Sequence, residues 1–320
     1  MMRGLSPRSL TLLTLLVLMV VAPALFPSSY YYRVGALIFI NGLAATGLVI
    51  LVGYAGQVSL GHAGFSGVGA YACALGPVHL GLPPVLCVVL GAALSALLAW
   101  GVGRPILRLK AHYLAVATLG FGILIYMAIN NEGWLTGGPD GMSVKALGLK
   151  GLLRDFGIKV KASELWYWIS GGVLLLGAFI ALNLRNSPAG RALRSLHDSE
   201  VAASTIGIDV ARMKVMAFVI SAVYASVAGS LVAMMNRFVT PDVAGFLHSI
   251  ELLTMTVLGG ASSVLGATVG ATILTALPQV LTVFEDFENL SLGLIMMLVM
   301  IFLRQGLVPT LARRWRRRAT

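Results

Sequence analysis

Residues 186–218 read NSPAGRALRSLHDSEVAASTIGIDVARMKVMAF, a polar stretch that separates two long apolar runs. Its start has the signature of a helix N-terminus. Ser187 can cap a helix whose first residue is Pro188, because proline lacks the N–H group that would otherwise be unpaired there. The stretch therefore predicts an ordered helical loop rather than a loose connection.

The second half of this loop predicts another capped helix. Asp198 is expected to cap a helix from Ser199 to Ile206, which Gly207 ends. Arg191 and Arg194 are three residues apart and share one face of the first helix. The preference of basic residues for the cytoplasmic side of a membrane would by itself explain the arginines. Two capped helices favour, in addition, a surface on which a cytoplasmic partner docks.

The chain around this loop has the composition of a membrane protein. Of its 320 residues, 58% are hydrophobic and 11% are charged, and the mean hydropathy is +0.90. Soluble domains carry about 25% charged residues. Apolar runs of about 20 residues recur, and each is long enough to cross the hydrocarbon core of a bilayer. We expect an all-α polytopic membrane protein that forms a single transmembrane domain over residues 1–320.

About ten transmembrane helices are expected. The first apolar run is interpreted as a retained span, because Pro23 and Pro27 fit poorly around a signal-peptide cleavage site. The third run is rich in glycine and the eighth is short, so each is either a full span or a broken, re-entrant one. The predicted spans are 10–27, 35–52, 58–76, 83–103, 112–130, 164–183, 213–235, 248–260, 264–283 and 289–304.

The charge distribution predicts the orientation of these spans. Most of the 23 Lys and Arg residues, but few of the 12 Asp and Glu residues, fall on one side, and basic residues prefer the cytoplasmic side. Both termini, the 184–214 loop and the basic tail 305–320 are then cytoplasmic, and the tail can contact anionic membrane lipid. The 131–163 loop is periplasmic. Because orientation accounts for the net charge of +11, no nucleic-acid binding is expected.

Residues 53–70, GYAGQVSLGHAGFSGVGA, combine many glycines with polar side chains. Polar side chains at membrane depth cost free energy unless they face a cavity or a partner. Gln57, Ser59, His62 and Ser66 are therefore the candidate residues of a translocation path. The alternative is that these four side chains hydrogen-bond neighbouring helices to one another.

A second stretch of small residues lies near the other end of the chain, at 258–271, LGGASSVLGATVGA. Both stretches contain a Leu-Gly step, Leu60-Gly61 in the first and Leu265-Gly266 in the second. Paired interrupted segments are typical of internally repeated transporters. An internal repeat is therefore expected.

At these residues the chain resembles the M-type (LivM-like) permease subunits of bacterial ABC importers for branched-chain amino acids. The resemblance covers nearly the whole chain, and the stretches 51–71 and 187–231 are the most specific. The matching stretches are LVGYAGQVSLGHAGFSGVGAY (51–71), LTGGPDGM (135–142), SPAGRALRSLHDSEVAASTIGIDVARMKVMAFVISAVYASVAGSL (187–231), TVLGGASSVLGATVGA (256–271) and FLRQGL (302–307).

The resemblance implies a multi-pass subunit of an ATP-driven importer in the bacterial inner membrane. A second, H-type permease would complete the pore, two cytosolic ATPase subunits would dock on the 184–214 loop, and a periplasmic binding protein would deliver substrate. No catalytic residue, metal or cofactor is expected in this chain, since partner subunits would hydrolyse ATP. The candidate ATPase-coupling residues are Arg191, Arg194, Glu200, Ala202, Ala203 and Gly207.

Other functions share parts of this pattern. Sister permeases for urea, short amides and other amino acids share the motifs, so the substrate stays open. An ion-coupled secondary carrier needs an ionisable group near the membrane midplane, for which His62 is the candidate. An intramembrane enzyme would need a catalytic pair at membrane depth, whereas the acidic residues lie nearly all in predicted loops.

Overall fold

A computed structural model describes residues 7–107, 111–147, 161–280, 293, 297 and 306–310 of the chain. Almost all of the predicted span 289–304 lies outside the described residues. So do most of the basic tail 305–320 and residues 148–160 of the 131–163 loop.

The described chain is almost entirely helical. One two-residue strand, β1 (Met142–Ser143), pairs antiparallel with another, β2 (Phe238–Val239). Short 3₁₀ turns occupy Ala22–Leu25, Gly138–Asp140 and Pro241–Ala244, and a π-helical turn, Val49–Tyr54, extends the second helix. The helices are α1 (Pro7–Val21), α2 (Ser29–Leu48), α3 (His62–His79), α4 (Pro84–Ile106), α5 (Ala111–Asn131), α6 (Gly133–Thr136), α7 (Ala162–Asn186), α8 (Pro188–Asp198), α9 (Glu200–Thr205), α10 (Val210–Asn236), α11 (Phe246–Gly259) and α12 (Val264–Val280).

This architecture is that of an all-α polytopic membrane protein. Within the described ranges, six helical segments are long and apolar enough to cross a membrane; they contain α1, α2, α4, α5, α7 and α10. Helices α11 and α12 are apolar but shorter. The expected number of ten crossings and the cytoplasmic position of both termini stay predictions.

The third predicted span, 58–76, was wrong at its start. Helix α3 begins only at His62, and residues 56–61 between α2 and α3 form no helix. The backbone explains this, because Gly56 has a φ of +69°, in the left-handed region that ends a helix. The glycine-rich stretch is therefore a helix, a break and a second helix.

Burial separates central from peripheral helices. In the most apolar window of each segment, 72% of residues around α2 and 61% of those in α10 are buried, against 22% in α4 and in α5. Leu97 of α4 and Leu124 of α5 are largely exposed, as expected for side chains that face lipid. Helices α2 and α10 are thus the centre of the bundle.

Helices α3 and α10 cross at backbone contact distance. A Cβ atom on Gly69 would overlap the carbonyl oxygen of Ser226, and one on Gly229 would overlap that of Ser66. Ser230 Oγ donates a hydrogen bond of 2.9 Å to the Gly69 carbonyl across the same crossing. Small residues at helix crossings are the usual means of close packing in membranes, so these two glycines fix the position of α3.

The two ends of the helix bundle carry different elements. We call the end with α8 and α9 the loop end and the end with β1 and β2 the ribbon end. Helix α10 starts beside α9 and ends beside β2, and its 27 residues correspond to about 40 Å. The two ends are thus separated by about the thickness of a membrane.

Substitution of Gly69 by Ala should destabilise the fold, whereas the same change at Gly120 of α5 should not. A helix with alanine in its interior is more stable than the same helix with glycine by about 1 kcal/mol. A Cβ on Gly120 would meet nothing within 4 Å. At Gly69 the clash should outweigh this gain, since overpacking costs about 1–3 kcal/mol. Thermal unfolding in detergent measures both variants, and equal midpoints for the two would contradict the proposed crossing.

Candidate functional site

The loop between α7 and α10 consists of two capped helices, as the sequence predicts. Ser187 Oγ accepts a hydrogen bond of 3.1 Å from the Gly190 N–H at the start of α8. Gly207 follows α9 with a φ of +82°. The predicted cap Asp198 was wrong: α8 continues through it, and the extended Ser199 accepts a 3.2 Å bond from the Ala202 N–H.

Helix α8 is amphipathic. Leu193 and Leu196 are buried against the bundle, while Arg191 and Arg194 are exposed on the other side. Arg191 Nη1 donates a bond of 3.3 Å to the carbonyl of Asn186. The apolar face fixes the helix in place, and its arginines remain available to a partner.

Helix α9 exposes apolar side chains at the polar end of the molecule. Ala203 is fully buried, whereas Ala202 is exposed. Val201 is 74% exposed and Ile206, just after the helix, is 71% exposed. Val201 and Ile206 are not among the residues predicted for the coupling surface, although two branched apolar residues in an otherwise polar loop were a signal for them.

Glu200 forms an ion pair within the chain. Its Oε1 lies 2.5 Å from Nζ of Lys214 in α10, whose side chain is only 8% exposed. This contact joins the first turn of α9 to the second turn of α10. Lys214 is not among the predicted coupling residues, because its partner lies 14 residues away on another helix.

Helix α8 also contacts the break between α2 and α3. A Cβ atom on Gly56 would lie 2.9 Å from Nδ1 of His197, so this glycine allows close approach of the loop. The next residue, Gln57, is 4% exposed, and neither atom of its amide has a hydrogen-bond partner among the described residues. Gln57 therefore lies at the loop end, within a few residues of the contact with α8.

His62 links two helices. Its Nδ1 lies 2.9 Å from Ser59 Oγ and its Nε2 lies 2.6 Å from Ser221 Oγ of α10. The ring is completely buried and makes edge-to-face contacts with Phe65 and Phe218. Both ring nitrogens are thus occupied, and Ser59 and His62 form one closed hydrogen-bonded group.

Ser66 lies one helical turn further along α3 and faces different surroundings. It lines a cavity of about 380 Å³ between α2, α3, α10 and α11. Its Oγ has no hydrogen-bond partner among the described residues. The cavity reaches the surface at the ribbon end, where Asp242 and Leu247 are exposed. Its polar lining residues are Asn41, Ser66, Asp242, His248 and Glu251.

The four candidate path residues therefore do not converge on one point. Ser59 and His62 are bonded together, with Gln57 on the loop-end side and Ser66 on the cavity. In the described ranges, no group of three or more His, Cys, Asp or Glu residues is arranged to hold a metal ion.

Comparison with known proteins identifies the family. Residues 31–303 match the family described as branched-chain amino acid transport system / permease component. The chain belongs to this family of permease components. No solved structure is significantly similar to the chain.

Several curated permeases are similar along most of their length. The high-affinity branched-chain amino acid transport system permease protein LivM of Escherichia coli strain K12 is 32% identical, over 94% of this chain and 75% of the relative. LivM of Salmonella typhimurium gives the same values. LivH of Escherichia coli strain K12 is 24% identical over 81% of this chain. The chain is thus a multi-pass transport permease whose relatives include both members of a LivM and LivH pair.

The Glu200–Lys214 pair predicts a charge-reversal rescue. Glu200→Lys or Lys214→Glu alone should lower the free energy of unfolding by about 1 kcal/mol, because Glu200 is half exposed and solvent screens the pair. The double variant should recover most of this loss. Thermal unfolding of the detergent-solubilised protein measures all three.

Asp198→Lys is the matched control for these variants, since Asp198 is an exposed acid of the same loop with no ion pair among the described residues. It should leave the midpoint unchanged. A double variant no more stable than the two singles would show that the two charges do not interact.

Proposed function

We propose that this chain is the M-type permease of an ATP-driven ABC importer for branched-chain amino acids in the bacterial inner membrane. The observation that carries the proposal is the ordered loop of α8 and α9, which exposes Val201 and Ile206 beside Arg191 and Arg194. Apolar side chains exposed at a polar end of the molecule indicate a protein partner. The loop end is then cytoplasmic and binds the ATPase subunits.

The loop has two attachments through which movement of the ATPases reaches the membrane domain. The ion pair of Glu200 with Lys214 joins α9 to α10. The contact of His197 with Gly56 joins α8 to the break before α3. Arg191, Arg194 and Ala202 provide the exposed docking surface, while the buried Ala203 and the left-handed Gly207 fix the conformation of α9. Rigid-body movement of packed helices is a common form of such switching.

The path of the substrate follows α3. The cavity at Ser66 opens at the ribbon end, which is periplasmic in this orientation, and Gln57 lies towards the cytoplasm. Between them, His62 is packed against Phe65 and Phe218 and bonded to Ser59 and Ser221. We assign this layer as the closed gate of the path.

The partners follow from the same family. A second, H-type permease pairs with this chain, in keeping with the similarity to both LivM and LivH. Two ATPase subunits hydrolyse ATP at the cytoplasmic end, and a periplasmic binding protein delivers substrate at the ribbon end. The tail 305–320 contacts anionic lipid on the cytoplasmic face.

A sister importer with another cargo is the second candidate. The autoinducer 2 import system permease protein LsrC of Klebsiella pneumoniae is 28% identical over 63% of this chain, so permeases with differently named cargo share this sequence pattern. An ion-coupled carrier is disfavoured, because both nitrogens of His62 are engaged by serine hydroxyls.

Substitution of Val201 by Asp should detach the ATPase subunits without unfolding the permease. Val201 is exposed, so the change costs little stability, while a carboxylate in an apolar contact loses its hydration. Co-purification of the ATPases with the tagged permease should fall at least tenfold, as expected for loss of about 1.4 kcal/mol or more of binding free energy.

Ala211→Asp is the matched control, since Ala211 is an exposed residue at the same end, in the first turn of α10. It should retain the ATPases. Val201→Asp complexes that keep them and transport normally would refute the docking surface. The function itself is tested by leucine uptake in proteoliposomes; uptake driven by an ion gradient with this chain alone would establish the carrier instead.

A further inference from the structure

Another cavity lies between α4 and α10 at the loop end, and we call it the arginine groove. Its volume is about 710 Å³, which is within the range of small-molecule sites. Arg104 lines it from the last turn of α4, and Arg212 lines it from the first turn of α10. Both helices are long and apolar enough to cross a membrane. The groove therefore lies where two membrane-spanning helices end, at the level of the lipid headgroups.

The two arginines are available to an anion. Both are exposed, and neither forms an ion pair among the described residues. The guanidinium carbon of Arg104 lies 3.9 Å from the centroid of the Trp100 ring. This cation–π contact orients the group without using its N–H donors. The planar fork of a guanidinium matches the oxygen atoms of a phosphate group, so the polar end of the groove is suited to bind one.

One acid also lines the groove. Asp209 precedes α10, and its Oδ1 accepts a hydrogen bond of 3.0 Å from the backbone N–H of Arg212. The carboxylate is thus engaged in capping the helix. Two arginines and one aspartate give the described lining a net charge of +1. This charge complements a group with one negative charge, such as a phosphodiester.

The remainder of the groove is apolar. Val215, Met216, Val219 and Ile220 line it and are half-buried, and their spacing places them on one face of α10. From Arg212 to Ile220 the helix rises by about 12 Å, away from the polar end and into the membrane. The lining thus changes from charged to apolar in the direction in which a phospholipid changes from headgroup to acyl chain.

Simpler explanations account for only part of this arrangement. The preference of basic residues for one side of a membrane places arginines at this end, but it does not bring arginines of two helices to one groove. A soluble anion would bind the arginines and leave the apolar part unfilled. Trp100, beside Arg104, belongs to a residue type that is enriched where the headgroups meet the hydrocarbon. A lipid matches all of these features at once.

We infer that the arginine groove is a binding site for an anionic phospholipid whose headgroup contains one phosphodiester. Arg104 and Arg212 bind the phosphate oxygens, and an acyl chain lies along Val215 and Val219. The bound lipid joins α4 to α10. The site is separate from the contact proposed for the basic tail, and it depends neither on the cargo nor on the docking of ATPase subunits.

The test is photolabelling of the chain, purified with its partner subunits, in nanodiscs of phosphatidylcholine. Phosphatidylglycerol with a photoreactive group in one acyl chain is added at increasing mole fraction, and labelled peptides are mapped by mass spectrometry. Label on the α10 peptide that contains Val215 and Val219 should saturate. Label on α5 around Leu124, which is 65% exposed, should rise linearly, as expected for lipid that only surrounds the protein. Photoreactive phosphatidylcholine should give the linear rise on both peptides.

Charge variants test the phosphate contacts. Arg104→Gln and Arg212→Gln should each raise the half-saturating mole fraction about fivefold, which corresponds to about 1 kcal/mol for one basic residue near a membrane surface. Asp209→Asn keeps a residue that can cap α10 and removes the negative charge, so it should lower the half-saturating mole fraction. A merely structural role of Asp209 would not produce such a gain.

Arg185→Gln is the matched control. Arg185 is an exposed arginine in the last turn of α7, at the same end of the molecule, and it does not line the groove. Its substitution should leave the half-saturating mole fraction unchanged. Thermal unfolding of each variant should give the midpoint of the unsubstituted protein, since all the replaced side chains are exposed.

Several outcomes would overturn the site. Equal labelling by the two lipids would show that lipid only surrounds the groove, and competition by soluble glycerol 3-phosphate would show that the groove binds an anion without a lipid tail. Groove label that is present on the chain alone and absent when the partner subunits are bound would assign the groove to a subunit interface. Saturable labelling by phosphatidylglycerol that Arg212→Gln weakens and Asp209→Asn strengthens establishes the site.

Discussion

The crossing of α3 and α10 is the contact on which the rest of the structure depends. In lipid there is no hydrophobic force that drives two apolar helices together, so close packing and hydrogen bonds must hold them. Gly69 and Gly229 allow the two backbones to touch, and His62 adds a side-chain bond to Ser221. With α3 fixed in this way, the break before it is held at the loop end, and Ser66 is held against the cavity.

Helix α10 joins the two ends of the molecule mechanically. Its second turn is paired with Glu200 through Lys214, its middle is bonded to His62 through Ser221, and Val232 near its end lines the cavity. A helix is stiff over this length, and packed interfaces change between discrete arrangements rather than deforming continuously. A shift of α9 can therefore reach the proposed gate and the cavity through a single element.

The sequence predicted the elements better than their contacts. Hydropathy and caps located the helices and the paired short helices of the loop, because these depend on residues near one another in the chain. The start of α3 was missed, since periodicity does not reveal where a positive φ at Gly56 breaks a helix. The pairing of Glu200 with Lys214, and the cavity that brings Ser66 near Glu251, depend on tertiary packing and carry no local signal.

In the proposed path, the polar groups in and just before α3 differ in whether their hydrogen bonds are satisfied. His62 has both ring nitrogens bonded, so a ligand that replaced these bonds would gain little and would break a contact between helices. Gln57 and Ser66 lie on either side of it, and their side-chain polar atoms are buried without partners among the described residues, so a movement that exposed them would let them gain hydrogen bonds. In the proposed mechanism, the histidine layer is therefore the barrier of the path. Passage then requires movement of α10, which carries Ser221, and this is the helix to which Glu200 fastens the loop.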